Sequence, residues 1–345
     1  MTKEQIIFMD TMNVNPMNGS LIEADTGTLD VIIDDATWST NCCLIGDRME
    51  WKPLVWMMHE KNRIRKLERL RVVLCEAKLA DHVKQEIRTM FDGLEVQFYE
   101  LLLPGIYHVY QWGQDMAKQY KDVERVNTMY YSVGTMRLNR FFLVHWLQQN
   151  KASNFGHPVL NKKEMEVLKH PLSRLCTKDF SNYENVSRRF FGECHVDTYW
   201  EKQVDLLLRA KISIVTEQPL FDHVERFYSE KLTHSMACKT LPFMISNKND
   251  NDNLKELGFR PYVGFDYSAE SIDDFVERWQ TLLDSNRHFL LEDKHASAIL
   301  EKNKDIIEHN YSVLSDTDWR QKALEEISNL PTLVRDFLEN KFFKK

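Results

Sequence analysis

Short apolar runs alternate along this chain with longer stretches in which apolar residues recur every three or four positions. LDVIIDDA (29–36), LRVVLCEA (70–77) and LEVQFYELL (94–102) are runs of the first kind and predict strands. Between the last two, KLADHVKQEIRTMFDG places Leu79, Val83, Ile87 and Met90 at helical spacing, with Gly93 as a stop. A strand, helix, strand order favours parallel pairing, so residues 1–130 are expected to form one α/β domain.

A second series follows. RVNTMYYSV (125–133), KISIVTEQ (211–218) and LPFMIS (241–246) predict strands, and RLNRFFLVHWLQQN (137–150) and SEKLTHSMACK (229–239) predict helices. DNLKELGF reads as a short helix closed by Gly258, and SAESIDDFVERWQTLLDS as an amphipathic helix with an acidic start. From about His288 onward the pattern is helical and charge-rich, with Pro331 starting the last helix. The expected organisation is therefore α/β: domains at 1–130 and 131–287, then a helical segment at 288–345.

Composition narrows the class. The chain of 345 residues has a formal net charge of −7, which argues against a generic nucleic-acid binder. No apolar stretch approaches the ~20 residues of a membrane span, and the start lacks the apolar segment of a signal peptide. Cys42, Cys43, Cys75, Cys176, Cys194 and Cys238 are scattered without a CxxC pair, which reads as reduced thiols in a cytoplasmic protein. The Asp-x-Asp pairs at Asp250/Asp252 and Asp316/Asp318 lie in polar stretches, so no metal is expected.

The segment FYSEKLTHSMACKTLPFMIS (227–246) carries the first hint of chemistry. With Ser229 as a helix cap, Glu230 falls in the first turn, where a carboxylate complements the helix dipole. Capping does not explain Lys231, a cation in the same turn. Free N–H groups beside a lysine make a phosphate site, and a neighbouring glutamate can accept from ribose hydroxyls.

The stretch KISIVTEQPLFDHVERFYSEKLTHSMACKTLPFMIS resembles the donor-binding segment of the α-1,3-fucosyltransferases and their phage and environmental relatives. Glu217 ends a strand, Tyr228-Ser229-Glu230-Lys231 stands at the signature, and Pro242-Phe243 opens the next strand. NLKELGFRPYVGFDYSAESIDDFVERWQTLL and EHNYSVL (308–314) extend the likeness. GTMRLNRFFLVHWLQQN resembles the R-x-H-R helix start, with Arg137 and Arg140 matching and Asn139 in place of the usual histidine. The resemblance covers about residues 130–314.

It implies a GT-B fold of two facing Rossmann-like domains and a glycosyltransferase that uses a UDP- or GDP-sugar with no tightly bound cofactor. Glu230 would then hold the ribose and Lys231 the diphosphate. Arg137 and Arg140 would be further diphosphate contacts, and Glu217 would lie near the donor sugar. Fixed cations can stabilise the departing diphosphate without a metal. The general base would come from the N-terminal domain, at the C-terminal end of a strand, where Asp34, Asp35 and Glu76 fall; Asp35 is preferred.

The acceptor is expected to be a saccharide or another small hydroxyl compound. HEKNRIRKLERLR (59–71), preceded by Trp51 and Trp56, gives a DNA alternative in which Arg63 and Arg65 contact phosphates of a hydroxymethylated phage DNA. A non-catalytic interaction protein that kept the fold is the remaining alternative.

Overall fold

The computed structural model describes residues 4–9, 27–34, 42–45, 48–133, 143, 146–147, 149–150, 156–158, 204–216, 224–226, 228–245, 249–272 and 275–344. The chain divides into two compact units and passes between them more than once. One comprises residues 1–111, 218–227 and 317–345; the other comprises 112–217 and 228–316.

The first unit opens with β1 (Glu4–Met9) and β2 (Thr28–Ile33), continues with a hairpin of β3 (Cys42–Ile45) and β4 (Arg48–Trp51), and then α1 (Lys52–His59) and α2 (Lys61–Ile64). β5 (Arg69–Leu74), β6 (Lys78–Leu79), α3 (Asp81–Met90) and β7 (Glu95–Glu100) follow. β1, β2, β5 and β7 form one parallel sheet in that order. The central strands TLDVII and RLRVVL are buried almost throughout, which is why they read as continuous apolar runs, whereas the edge strands are half-buried.

One polar pair interrupts that core. Asp30 and Arg71 are register partners on β2 and β5, both buried, and the guanidinium donates to both carboxylate oxygens at 2.5 and 2.8 Å.

α4 (Tyr107–Lys118) carries the chain into the second unit, where β8 (Asn127–Val133), β9 (Gly156–Pro158) and β10 (Ala210–Thr216) are found. β11 (Val224–Arg226) belongs to the first unit and pairs antiparallel with β6. The second unit then resumes with α5 (Glu230–Ala237), β12 (Leu241–Ile245), α6 (Asp250–Asn253) and a 3₁₀ turn at Leu254–Leu257. Its sheet is parallel, in the order β12-β10-β8-β9. A second 3₁₀ turn (Ser268–Ser271) precedes α7 (Phe275–Ser285), α8 (Arg287–Leu291), α9 (Asp293–Lys302) and α10 (Lys304–Asp316). The chain finally returns to the first unit with α11 (Trp319–Ile327), α12 (Thr332–Leu338) and a π-turn (Glu339–Phe343).

The α/β reading holds in both units, with helices at the C-terminus. The strands end earlier than their apolar runs suggest, because Asp34, Cys75 and Glu76 lie past the last ladder residue. Leu79 belongs to β6 rather than to the helix after it, and Ser268–Ser271 forms a 3₁₀ turn rather than the first turn of α7.

Two polar devices hold the second unit. Arg125, just before β8, donates to the carbonyl oxygens of Leu208, Ala210, Cys238 and Lys239 and to Thr240 Oγ1, at 2.5–3.1 Å. It thereby ties the start of β10 to the C-terminal end of α5. Four buried asparagines, two within helices and two at the junctions between them, grip the extended segment after Gly258. Asn310, Asn251, Asn303 and Asn286 each accept from the N–H and donate to the C=O of one residue, respectively Arg260, Tyr262, Val263 and Asp266. The same segment covers the edge strand β12, whose Met244 N–H donates to Tyr267 Oη at 3.2 Å.

Candidate functional site

A helix that joins two parallel strands runs back against them, so its N-terminus lies at the strands' C-terminal end. α5 joins β10 to β12 in this way and packs on both. The sheet's order reverses between β8 and β10, since β9 follows β8 on one side and β10 lies on the other. In open parallel sheets, ligands bind at the carboxyl end beside such a reversal.

α5 is buried from Leu232 to Ala237, including Thr233, His234 and Ser235, so its first turn is the part that meets solvent. Ser229 caps it, with its hydroxyl accepting from Lys231 N–H at 3.3 Å. Tyr228 is buried and donates its hydroxyl to Asp250 O at 2.8 Å, which anchors the chain just before the cap.

Glu230 is 36% and Lys231 14% exposed at the side chain, and their charged ends meet at 2.7 Å. Burial disfavours charge on Glu230, but the Lys231 ammonium beside it prevails and holds the carboxyl down to about 2. Lys231 also donates to Ser229 Oγ at 3.3 Å. Two of its three ammonium hydrogens are thus engaged within the turn, leaving one donor for an anion. The lysine left unexplained by capping alone is therefore the charge partner of its neighbour. The turn presents a fixed cation and a fixed anion together, while the Lys231 and Leu232 N–H groups donate to Ser229.

His234 lies one turn further on and is buried. Burial pushes its imidazole down to about 4, against the opposing pull of Glu230. The Trp112 ring meets it edge-on, with centroids 5.7 Å apart. At the carboxyl end of β10, Thr216 is fully buried, and its hydroxyl has no hydrogen-bond partner among the described residues.

In the first unit, a group of acids gathers at the carboxyl ends of β2 and β5. Asp34 is half-buried and Glu76 is 1% exposed. The loop after β7 crosses these strand ends at Gly105, where a Cβ would lie 2.9 Å from Asp34 Oδ1 and 3.2 Å from Cys75 O. Glu326, on α11, accepts from the N–H groups of Leu102 and Leu103 at 2.8 and 3.0 Å. Burial drives the Cys75 thiol well up, and Asp34, Glu76 and Glu326 add to that shift, a measure of how closely the charges cluster.

Asp35, Arg137, Arg140 and Glu217 lie outside the described residues. Arg63 is exposed beside Glu60. Arg65 donates twice to Met90 O, at 2.9 and 3.2 Å, closing the C-terminal end of α3. Asp250 is buried while Asp252 is exposed, and Asp318 caps α11. Among the described residues, no three His, Cys, Asp or Glu side chains are grouped to hold a metal ion, and no helix is long and apolar enough to cross a membrane. Sequence reasoning missed Thr216, His234 and Trp112. A lone buried threonine, histidine or tryptophan has no local pattern; only the i, i+4 spacing of Glu230 and His234 was visible.

No family model matches this chain, and no curated protein is similar to it in sequence. Solved structures with a slight likeness include a GtfA/B complex, 11% identical, covering 87% of this chain and 53% of that one, with a TM-score of 0.35. Another is the DNA-modifying enzyme β-glucosyltransferase, solved with and without its substrate uridine diphosphoglucose: 11% identity, 88% and 74% coverage, TM-score 0.37. A third is an α-glucosyltransferase in complex with UDP and a 13-mer DNA containing an HMU base: 10% identity, 85% and 79% coverage, TM-score 0.33. The chain spans about half the length of the first of these. Likenesses this slight carry neither fold nor chemistry.

Proposed function

We propose that this chain is a nucleotide-sugar-dependent glycosyltransferase of GT-B arrangement, with the donor at the N-terminus of α5. One observation carries the reading: the half-buried first turn of an otherwise buried helix, at the carboxyl end of a parallel sheet, brings Ser229, Glu230 and Lys231 together. Lys231 binds the diphosphate, Glu230 accepts from the ribose hydroxyls, and Arg137, Arg140 and Glu217 complete the donor contacts.

In the reaction, an acceptor hydroxyl attacks the anomeric carbon, the bond from that carbon to the diphosphate oxygen breaks, and the diphosphate leaves with its charge balanced by Lys231. The hydroxyl proton passes to a carboxylate base, for which Asp35 is proposed, with Asp34 and Glu76 as the alternatives. The acceptor is a saccharide or another small hydroxyl compound. Arg69 and Arg71 of the basic run are paired with Glu95 and Asp30, which leaves less charge for a DNA backbone.

The test is a thermal-shift series with UDP, GDP and CDP on the wild-type chain and Lys231→Ala. A ligand at about a hundred times its dissociation constant stabilises the fold by roughly 2.7 kcal/mol. A shift with one diphosphate that disappears in the variant is expected. No shift with any of them would make the turn an ordinary capped helix start, and the chain an interaction protein.

A further inference from the structure

A nucleotide held at the start of α5 needs a surface for its base. Trp112 is 45% exposed, whereas Trp51, Trp56, Trp146, Trp279 and Trp319 are all buried. An exposed indole offers a flat apolar surface on which a planar ring can stack.

Its position relates it to the donor turn. The ring stands at 81° to that of His234, and His234 follows Glu230 by four residues, on the same helix face and about 6 Å along the axis. Glu230 and His234 each feel the other's charge. The next residue on α4 is Gly113, where a Cβ would lie 2.9 Å from Thr233 Cβ, closer than real Cβ atoms approach. Glycine there lets α4 come close to α5 and fixes how near the indole stands to the helix. One helical turn thus separates an apolar face from the Glu230–Lys231 pair, which suits a ligand with a flat base at one end and a diphosphate at the other.

We propose that Trp112 is the platform on which the base of the nucleoside diphosphate stacks, with His234 as the edge partner that holds the indole in place. This rests on the donor site described above and adds the residue that binds the base. Stacking accepts any base, since each has a π-face. Trp112 therefore contributes affinity to UDP and GDP alike.

Calorimetric titration of UDP, GDP and inorganic pyrophosphate into the wild-type chain, Trp112→Ala, Trp112→Phe and Lys231→Ala tests the proposal. Trp112→Ala is expected to weaken both nucleotides roughly tenfold or more. It should leave pyrophosphate unchanged, and Trp112→Phe should restore most of the loss. Wild-type affinity for both nucleotides in Trp112→Ala, with loss in Lys231→Ala, overturns the platform and leaves the donor site standing. Equal weakening of pyrophosphate by Trp112→Ala and Trp112→Phe means that α5 has shifted, which also overturns it. Failure of the wild-type chain to bind any nucleotide removes the donor site and the platform together.

Discussion

Lowering the pH should destabilise this fold through one buried imidazole. His234 is fully enclosed, and its imidazole is pushed from 6.5 down to about 4 by burial, with Glu230 opposing and Lys231 assisting. A depressed folded-state value means that the unfolded chain takes up the proton first. The stabilisation is therefore complete above 6.5 and is lost as the pH falls toward 4. The full difference is about 3 kcal/mol, of which about 2 kcal/mol is lost by pH 5.

Glu230, held down to about 2, contributes in the range below about 4.5, so a comparison between pH 7.5 and pH 5 isolates the histidine from it. Urea unfolding of the wild-type chain and of His234→Gln at both pH values is the assay, with the m-value monitored because two units need not unfold together. The wild-type chain should lose about 2 kcal/mol more than the variant. Equal losses in the two proteins would refute the assignment of a proton-excluding pocket to His234.

Two further outcomes concern the frame around the site. Arg125→Met removes five hydrogen bonds and leaves carbonyl groups of the β10 and α5 ends without their donor; a loss of roughly 3–5 kcal/mol in chemical unfolding is expected. Asp30→Ala leaves the buried Arg71 guanidinium only the half-exposed Glu4, at 3.3 Å, and a cost of roughly 3 kcal/mol is expected, whereas the double variant Asp30→Val, Arg71→Leu should recover most of it in the same assay.

Much of the frame was legible because each unit is built from central strands buried on both faces. Such strands need continuous apolar residues, and runs like LDVII and KISIV are hard to read otherwise. α5 was legible through Ser229 and Glu230, whose effect is local. The charge pair at Lys231 could be anticipated only as a question, since its answer depends on where the ammonium turns. Arg125 gave no sign at all: its five acceptors lie 83 to 115 residues away. The passage of residues 218–227 through the first unit, with β11 beside β6, was equally hidden, because a three-residue strand carries no periodicity of its own.

The four asparagines bear on how this chain can change over evolutionary time. Each holds the peptide groups of its partner and ignores the side chain, much as a neighbouring strand would. Exposed residues such as Arg260, Val263 and Asp266 can accordingly drift in chemistry without loosening the ribbon, provided that proline stays out of the gripped positions, whereas Tyr262 and Phe265 are held by the core and Gly264 by its positive φ. The anchors have no such freedom. Aspartate at any of them would lose the amide donor to the carbonyl, and leucine would lose both partners. Variation at the exposed ribbon positions and constancy at positions 251, 286, 303 and 310 is the signature this arrangement should leave among related sequences.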